Sequence, residues 1–170
     1  MSDPHSPLRL NVGFIVAQSA GFTRDFPFDL PHINIPPDLQ IDNLSGSIRA
    51  SRTPQGILLQ GDLVARMTLE CVRCLTDFQQ SLNINFTELY AFSQRYVTDS
   101  GLLMPESSII DLAPLLREYI LLEIPISPLC SVECKGLCLI CGNNLNESTC
   151  NHDDDMGDPR FAALKTLLEK

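Results

Sequence analysis

The chain has no Trp, and aromatics make up only 6% of its 170 residues. Its 44% hydrophobic content is therefore mostly aliphatic, enough to core one domain, or one domain with a small appendix. Basic residues are also few: 12 Lys and Arg stand against 21 Asp and Glu, a formal net charge of −9. That deficit argues against gripping nucleic acid by its phosphates, which needs a basic surface, and favours a basic partner. Long hydrophobic runs are missing. Residues 12–20 are apolar-rich but interrupted by Gln18 and Ser19, so they cannot span a bilayer and no membrane partner is expected. The start Met1-Ser2-Asp3-Pro4-His5-Ser6-Pro7 has no basic stretch leading into an apolar one. It reads as no export signal, and a cytoplasmic location is expected.

Catalytic signatures are absent too. There is no Gly-rich phosphate loop, no Gly-x-Ser-x-Gly and no His-Glu-x2-His. His5 and His32 stand alone in Pro-rich surroundings and read as surface residues. Glu118 and Glu123 read as a solvated helix face. With no convergent acid–base pair, no catalytic residue is assigned, and neither an enzyme nor a small-molecule substrate is expected.

What the chain does have is cysteine. Five of its seven cysteines fall in one run, Cys130-x3-Cys134-x3-Cys138-x2-Cys141-x8-Cys150, with His152 two residues further on. A second Cys-x2-Cys, Cys71-Val72-Arg73-Cys74, lies upstream. Without export, clustered thiols are more often metal ligands or redox groups than disulfides, and an odd count does not suit a simple disulfide framework. A structural zinc site needs four donors in a tetrahedron. Cys138 and Cys141 form the firmest pair, because Gly142 permits a sharp turn after the second ligand. Cys134 and Cys150 come next: Gly136 lends flexibility to the first, and Gly142-Asn143-Asn144 turns the chain back for the second. The expected set is therefore Cys134, Cys138, Cys141 and Cys150 around one zinc, with Cys130, His152, Cys71 and Cys74 in reserve.

Cys71 and Cys74 stay open at this point. They could complete a site with Cys138 and Cys141 as two facing tips, bind separately, or form only a tight turn. Two other readings of the thiols also stand: reduced cysteines that metal never touches, or a dithiol redox pair. No thioredoxin-like βαβ pattern surrounds either Cys-x2-Cys.

The element pattern is α+β: an antiparallel sheet or partly open, barrel-like domain with two helices and a zinc-knuckle-like segment. Strands are predicted over 8–18, 44–52, 57–71 and 78–92, with an irregular Pro-rich connection over 25–43. Leu63, Ala65, Met67 and Leu69 alternate with Val64, Arg66, Thr68 and Glu70, giving one buried face. Leu82, Ile84 and Phe86 alternate in the same way, with a register shift or bulge expected near Glu88 and Leu89. Thr53-Pro54-Gln55-Gly56 is a turn, and Cys71-Val72-Arg73-Cys74 sits at the tip of a hairpin. Residues 93–108 are polar and irregular. A helix follows over about 111–122, capped by Asp111, with Pro114 in its first turn and Leu112, Leu115, Leu116, Tyr119 and Ile120 as its apolar stripe. A second helix opens at Asp158-Pro159. The organisation predicted is a mainly β domain over 1–125, with 126–170 packed on it as cysteine-rich segment, acidic loop and C-terminal helix.

Residues 147–158 hold Glu147, Asp153, Asp154, Asp155 and Asp158 and no Lys or Arg. This block reads as a solvated loop or as a docking strip for a basic protein. Arg73, at the hairpin tip, could meet a phosphate or carboxylate or be an ordinary solvated turn residue.

With both cysteine clusters placed, the chain resembles the YceD-like family, the large-ribosomal-RNA accumulation proteins of bacteria and plastids. The resemblance is carried by Leu69-Glu70-Cys71-Val72-Arg73-Cys74-Leu75, by Pro128-Leu129-Cys130, by Cys134-Lys135-Gly136-Leu137-Cys138, by Cys141-Gly142-Asn143-Asn144-Leu145-Asn146, and by Cys150 and Asp158-Pro159-Arg160-Phe161. It covers roughly residues 44–170. Many members close the cluster with Cys-x-Cys, where this chain has His152. The resemblance implies a non-enzymatic role in producing or stabilising large-subunit ribosomal RNA. The acidic charge adds that the contact is with a basic ribosomal protein or an assembly factor; rRNA itself would need a local basic spot such as Arg66 and Arg73. The competing reading is a thiol-based redox or metal-responsive cytosolic protein, and a third is a purely structural interaction module.

Overall fold

The computed structural model describes residues 7–151. Its elements run in the order β1 (Arg9–Asn11), α1 (Gly13–Val16), β2 (Thr23–Leu30), β3 (Ile33–Ile35), β4 (Leu39–Ile41), β5 (Asn43–Arg52), β6 (Gly56–Glu70), β7 (Asp77–Ala91), β8 (Ile109–Asp111) and α2 (Ala113–Glu123). The architecture is α+β and antiparallel. A four-stranded sheet has the order β2-β5-β6-β7, and two ribbons pair β1 with β8 and β3 with β4. The sheet stays open and does not close into a barrel. Among the described residues no helix is long and apolar enough to cross a membrane.

Period-two alternation builds the long hairpin. Along β6, Ile57, Leu59, Leu63, Ala65 and Met67 are buried, and along β7 so are Leu82, Ile84, Phe86 and Tyr90. These residues share the face on which α2 and the ribbons pack, while Gln60, Asp62, Arg66, Asn83, Asn85 and Thr87 face solvent. Gly61 pairs directly with Phe86, and a Cβ at Gly61 would collide with the Phe86 ring. Glycine is therefore required there by the aromatic side chain that covers it.

No bulge interrupts β7. Its pairing with β6 runs unbroken from Gly56↔Ala91 to Glu70↔Asp77. The apparent shift near Glu88 is a polar residue on the core face. Glu88 accepts a hydrogen bond from the Tyr119 hydroxyl of α2 at 2.7 Å, and the Phe86 and Tyr119 rings lie 5.3 Å apart.

Three other expectations change. The expected first strand over 8–18 shortens to β1, because the chain turns into α1 after Val12. The Pro-rich stretch 25–43 is not irregular: it holds β2 and the β3–β4 ribbon. Pro27 is tolerated because β2 is an edge strand, where a missing N–H breaks no ladder on the outer side. The helix expected over 111–122 is present as α2, but Asp111 is not its cap: Asp111 ends β8 and Leu112 holds the N-cap position, while the Asp111 carboxylate accepts from the Ala113 N–H at 3.0 Å and Leu115, Leu116 and Ile120 are buried. The helix expected from Asp158 lies outside the described residues. For the site, what matters is that β6 and β7, 15 residues each, carry the 71–76 loop to one end of the sheet.

Candidate metal centre

The loop at the hairpin tip turns both its thiols inward. The Cys71 N–H donates to the Thr76 carbonyl at 3.0 Å and the Leu75 N–H to the Cys71 carbonyl at 2.9 Å. Leu75 takes the left-handed conformation (φ 56°) that lets so short a loop close. Cys71 and Cys74 end up buried, while Val72 and Leu75 are exposed. The Cys-x2-Cys spacing thus places two sulfurs on one side of the turn.

The segment after α2 wraps this tip. The Val72 N–H donates to the Pro128 carbonyl at 3.0 Å, the Leu137 N–H donates to the Arg73 carbonyl at 3.2 Å, and Arg73 Nη1 donates to the Cys134 carbonyl at 3.0 Å. These bonds deliver Cys130 and Cys134 to the hairpin. The Cys71 and Cys134 sulfurs are 3.8 Å apart, the Cys74 and Cys130 sulfurs 3.6 Å, and all four lie within 4.8 Å of one another. A disulfide would need about 2.05 Å, and all seven cysteines are free. With Zn–S bonds of about 2.3 Å, a regular tetrahedron spaces its sulfurs about 3.8 Å apart. The donor set and its spacing therefore fit a tetrahedral thiophilic ion. Phe78, Leu129 and Leu137 pack around the group.

A second group lies beyond Gly136, whose φ of +77° turns the chain against the Arg73 carbonyl. The Cys138 N–H donates to the Asn143 carbonyl at 2.8 Å and the Gly142 N–H to the Cys138 carbonyl at 2.9 Å, closing a knuckle. The Ile140 N–H points at the Cys138 sulfur, 3.4 Å away. The Cys141 and Cys150 sulfurs are 3.7 Å apart, and the three sulfurs of Cys138, Cys141 and Cys150 lie within 4.8 Å of one another. Asn146, between Cys141 and Cys150 in the chain, reaches back to the hairpin group: its amide donates to the Cys134 sulfur at 3.3 Å, and its carbonyl oxygen accepts from the Lys135 N–H at 2.8 Å.

The electrostatics favour thiolate at some positions and oppose it at others. Burial pushes the Cys71 thiol up, but hydrogen bonds from the backbone of Cys130, Cys74 and Arg73 outweigh it and bring the thiol down to about 6. The Asn146 amide lowers Cys134 against the opposing effect of burial. The backbone N–H groups of Cys141 and Ile140 lower Cys138 to about 7. Cys130 is pushed up to about 12, mainly by its contact with Cys74, and Cys150 to about 12 by burial and its two thiol neighbours. Thiols packed this closely cannot all ionise beside one another, whereas a divalent cation among them reverses that and deprotonates its ligands.

The residues singled out in the sequence are distributed as follows. Cys138, Cys141 and Cys150 come together. Cys134 does not join them; it faces the hairpin, because the Gly136 turn sends the two ends of Cys134-Lys135-Gly136-Leu137-Cys138 to different groups. Cys71 and Cys74 meet Cys130 and Cys134 rather than Cys138 and Cys141. His152, Asp153, Asp154 and Asp155 lie outside the described residues. Arg73 is exposed but bonded to the Cys134 carbonyl. Sequence reasoning passed over Asn146 as a partner of the thiols; its place in the Gly142-Asn143-Asn144-Leu145-Asn146 run was the available signal.

A family model described as "Large ribosomal RNA subunit accumulation protein YceD" matches residues 59–168, a stretch that holds all but the first three residues of the β6–β7 hairpin and every cysteine. An uncharacterised protein of Mycobacterium tuberculosis is 29% identical over 170 residues, covering 96% of this chain and 70% of its own. The large ribosomal RNA subunit accumulation protein YCED homolog 1, chloroplastic, of Arabidopsis thaliana is 38% identical over 66 residues, 39% of this chain and 21% of its own. The uncharacterised protein YlbN of Bacillus subtilis is 33% identical over 106 residues, 61% of this chain and 62% of its own. No solved structure matches. The family match covers more than half of the chain and takes in both cysteine groups, so the chain belongs to the YceD family of large ribosomal RNA subunit accumulation proteins.

Proposed function

We propose that the protein is a cytoplasmic, non-enzymatic accessory factor in the accumulation of large-subunit ribosomal RNA, and that a structural zinc held by Cys71, Cys74, Cys130 and Cys134 pins its cysteine-rich segment to the β6–β7 hairpin. The observation that carries this reading is the four-thiol group inside the stretch that matches the family. The chloroplast relative's name supports the ribosomal role. All four donors are cysteine, three of them buried, which is the arrangement of a closed structural site rather than an open catalytic one. Residues 126–170, with their run of acidic residues, then act as an appendage of the β-domain over 1–125.

The partner in this reading is a basic ribosomal protein or a large-subunit assembly factor, attracted by the net charge of −9 and by Asp153, Asp154 and Asp155. Contact with rRNA is left to Arg73 and to Arg66, which lies on the exposed sheet face beside Asp42, Asn43, Gln79, Gln80 and Ser81. The competing reading, a thiol-based redox or metal-responsive protein, draws on the lowered Cys71 and Cys138 thiols. Cys71 is fully buried, which shields it from the reagents such a sensor must meet.

Depleting the protein in its source organism and measuring large- against small-subunit rRNA tests the role, and tagged protein recovered with large-subunit precursors tests the partner. A selective fall in large-subunit rRNA is expected. Unchanged rRNA ratios, with thiols that alkylate rapidly in untreated protein, would overturn the reading in favour of the redox one.

A further inference from the structure

We propose that the chain holds a second metal ion, a zinc-class divalent cation, between Cys138, Cys141 and Cys150, and that this ion exchanges faster than the one at the hairpin. The sequence by itself suggested one site drawing on both groups. The structure divides the seven thiols into four and three, each set within 4.8 Å, with Cys134 turned away from the trio.

Two independent observations support a second ion. The first is the knuckle. Cys138 and Cys141 are held on one side of a turn closed by two backbone hydrogen bonds, with Gly142 at φ +73°, and Cys150 returns to 3.7 Å from Cys141. This is the sulfur spacing of a tetrahedral thiolate site. The second is burial. None of residues 138–150 is buried, and Leu139 and Ile140, between the two knuckle thiols, are exposed. Such a segment has no core of its own to offset its ordering entropy, and a metal cross-link supplies what the missing core does not.

Three described thiolates fill three of four tetrahedral positions, and the fourth is left to solvent. Zinc is preferred over hard cations because the donors are all sulfur. The order of lability follows from exposure. At the hairpin only Cys130 is exposed, whereas in the trio Cys141 is exposed and Cys138 and Cys150 are half-buried. Chelators therefore reach the trio first.

The test is metal content of the full chain, purified without chelator or oxidant. Elemental analysis should give about two zinc ions per chain, and the triple variant C138S/C141S/C150S about one. A colorimetric chelator should release the wild-type zinc in two phases, and the triple variant should lack the fast one. Should the triple variant not fold, wild-type protein alkylated during release and mapped by mass spectrometry gives the same answer. Cys138, Cys141 and Cys150 should become reactive together in the fast phase, and Cys71, Cys74, Cys130 and Cys134 in the slow one. One ion in wild type, or a trio that alkylates at the rate of free thiols before any chelator is added, sinks the proposal. Neither result bears on the rRNA measurements, and failure of those leaves the metal count untouched.

Discussion

Arg73 Nη1 donates to the Cys134 carbonyl oxygen at 3.0 Å, across 61 residues of sequence. The hairpin tip thereby grips the backbone of the segment that brings the third and fourth thiols, and the Leu137 N–H returns the contact to the Arg73 carbonyl at 3.2 Å. Arg73 is a clamp residue before it is anything else.

Replacing Arg73 with Ala should cost about 1 kcal/mol, the net worth of one such hydrogen bond. Lower thermal midpoint and faster chelator-driven release of the hairpin zinc should appear together. The measurement is thermal unfolding followed by circular dichroism, in parallel with a zinc-release time course. An unchanged release rate would show that the thiols hold the segment without the guanidinium.

The two cysteine groups should differ in what they contribute to stability. Cys71→Ser removes a fully buried thiol of the proposed hairpin site and should abolish zinc binding there, loosening residues 126–137 and lowering the unfolding midpoint. Cys141→Ser, at an exposed position of a segment with no buried residue, should lose its own ion with little change in midpoint. Zinc content and calorimetry on both variants check the contrast.

Gly61→Ala tests the hairpin's packing. The new methyl would meet the Phe86 ring, and overpacking of this kind costs about 1–3 kcal/mol. Adding Phe86→Leu should recover part of the loss by clearing the space. Denaturant unfolding of the single and double variants measures it, and additive losses would mean that the ring is not the obstacle.

The Tyr119–Glu88 contact predicts a pH dependence at the alkaline end. The Glu88 hydrogen bond, followed by burial, pushes Tyr119 up to about 12 from an ordinary 10.0. Because the folded value lies above the unfolded one, the stabilisation is fully present below about pH 10 and is lost as pH rises toward 12. Glu88→Gln should move the Tyr119 titration back toward its ordinary value and flatten the alkaline loss. Spectrophotometric tyrosine titration, with Tyr119→Phe to identify the signal, reads it directly.

Much of the β-domain was legible in the chain because its cause is local. Leu63, Ala65, Met67, Leu82, Ile84 and Phe86 alternate with polar residues, and alternation at period two is what a half-buried strand requires. Asp111 and the stripe from Leu112 to Ile120 marked α2 for the same kind of reason. Where reading failed, a distant partner had overridden the local pattern. Pro27 argued against a strand until β2 proved to be an edge, and Glu88 suggested a bulge until Tyr119 proved to be its partner.

The cysteines show the boundary between the two kinds of information. Sequence alone determined that Cys71 and Cys74 share a turn, and that Cys138 and Cys141 share another, since two-residue spacing between strands, or before a Gly, is local geometry; the left-handed Leu75 that closes the first turn was not legible. It could not determine which pair meets which. That choice depends on where α2 ends, on the Val72 bond to Pro128, and on the Gly136 turn that parts Cys134 from Cys138. Only tertiary structure, by closing the long loop from Cys74 to Cys130, decided that the hairpin takes Cys130 and Cys134 and leaves three thiols to form a group of their own.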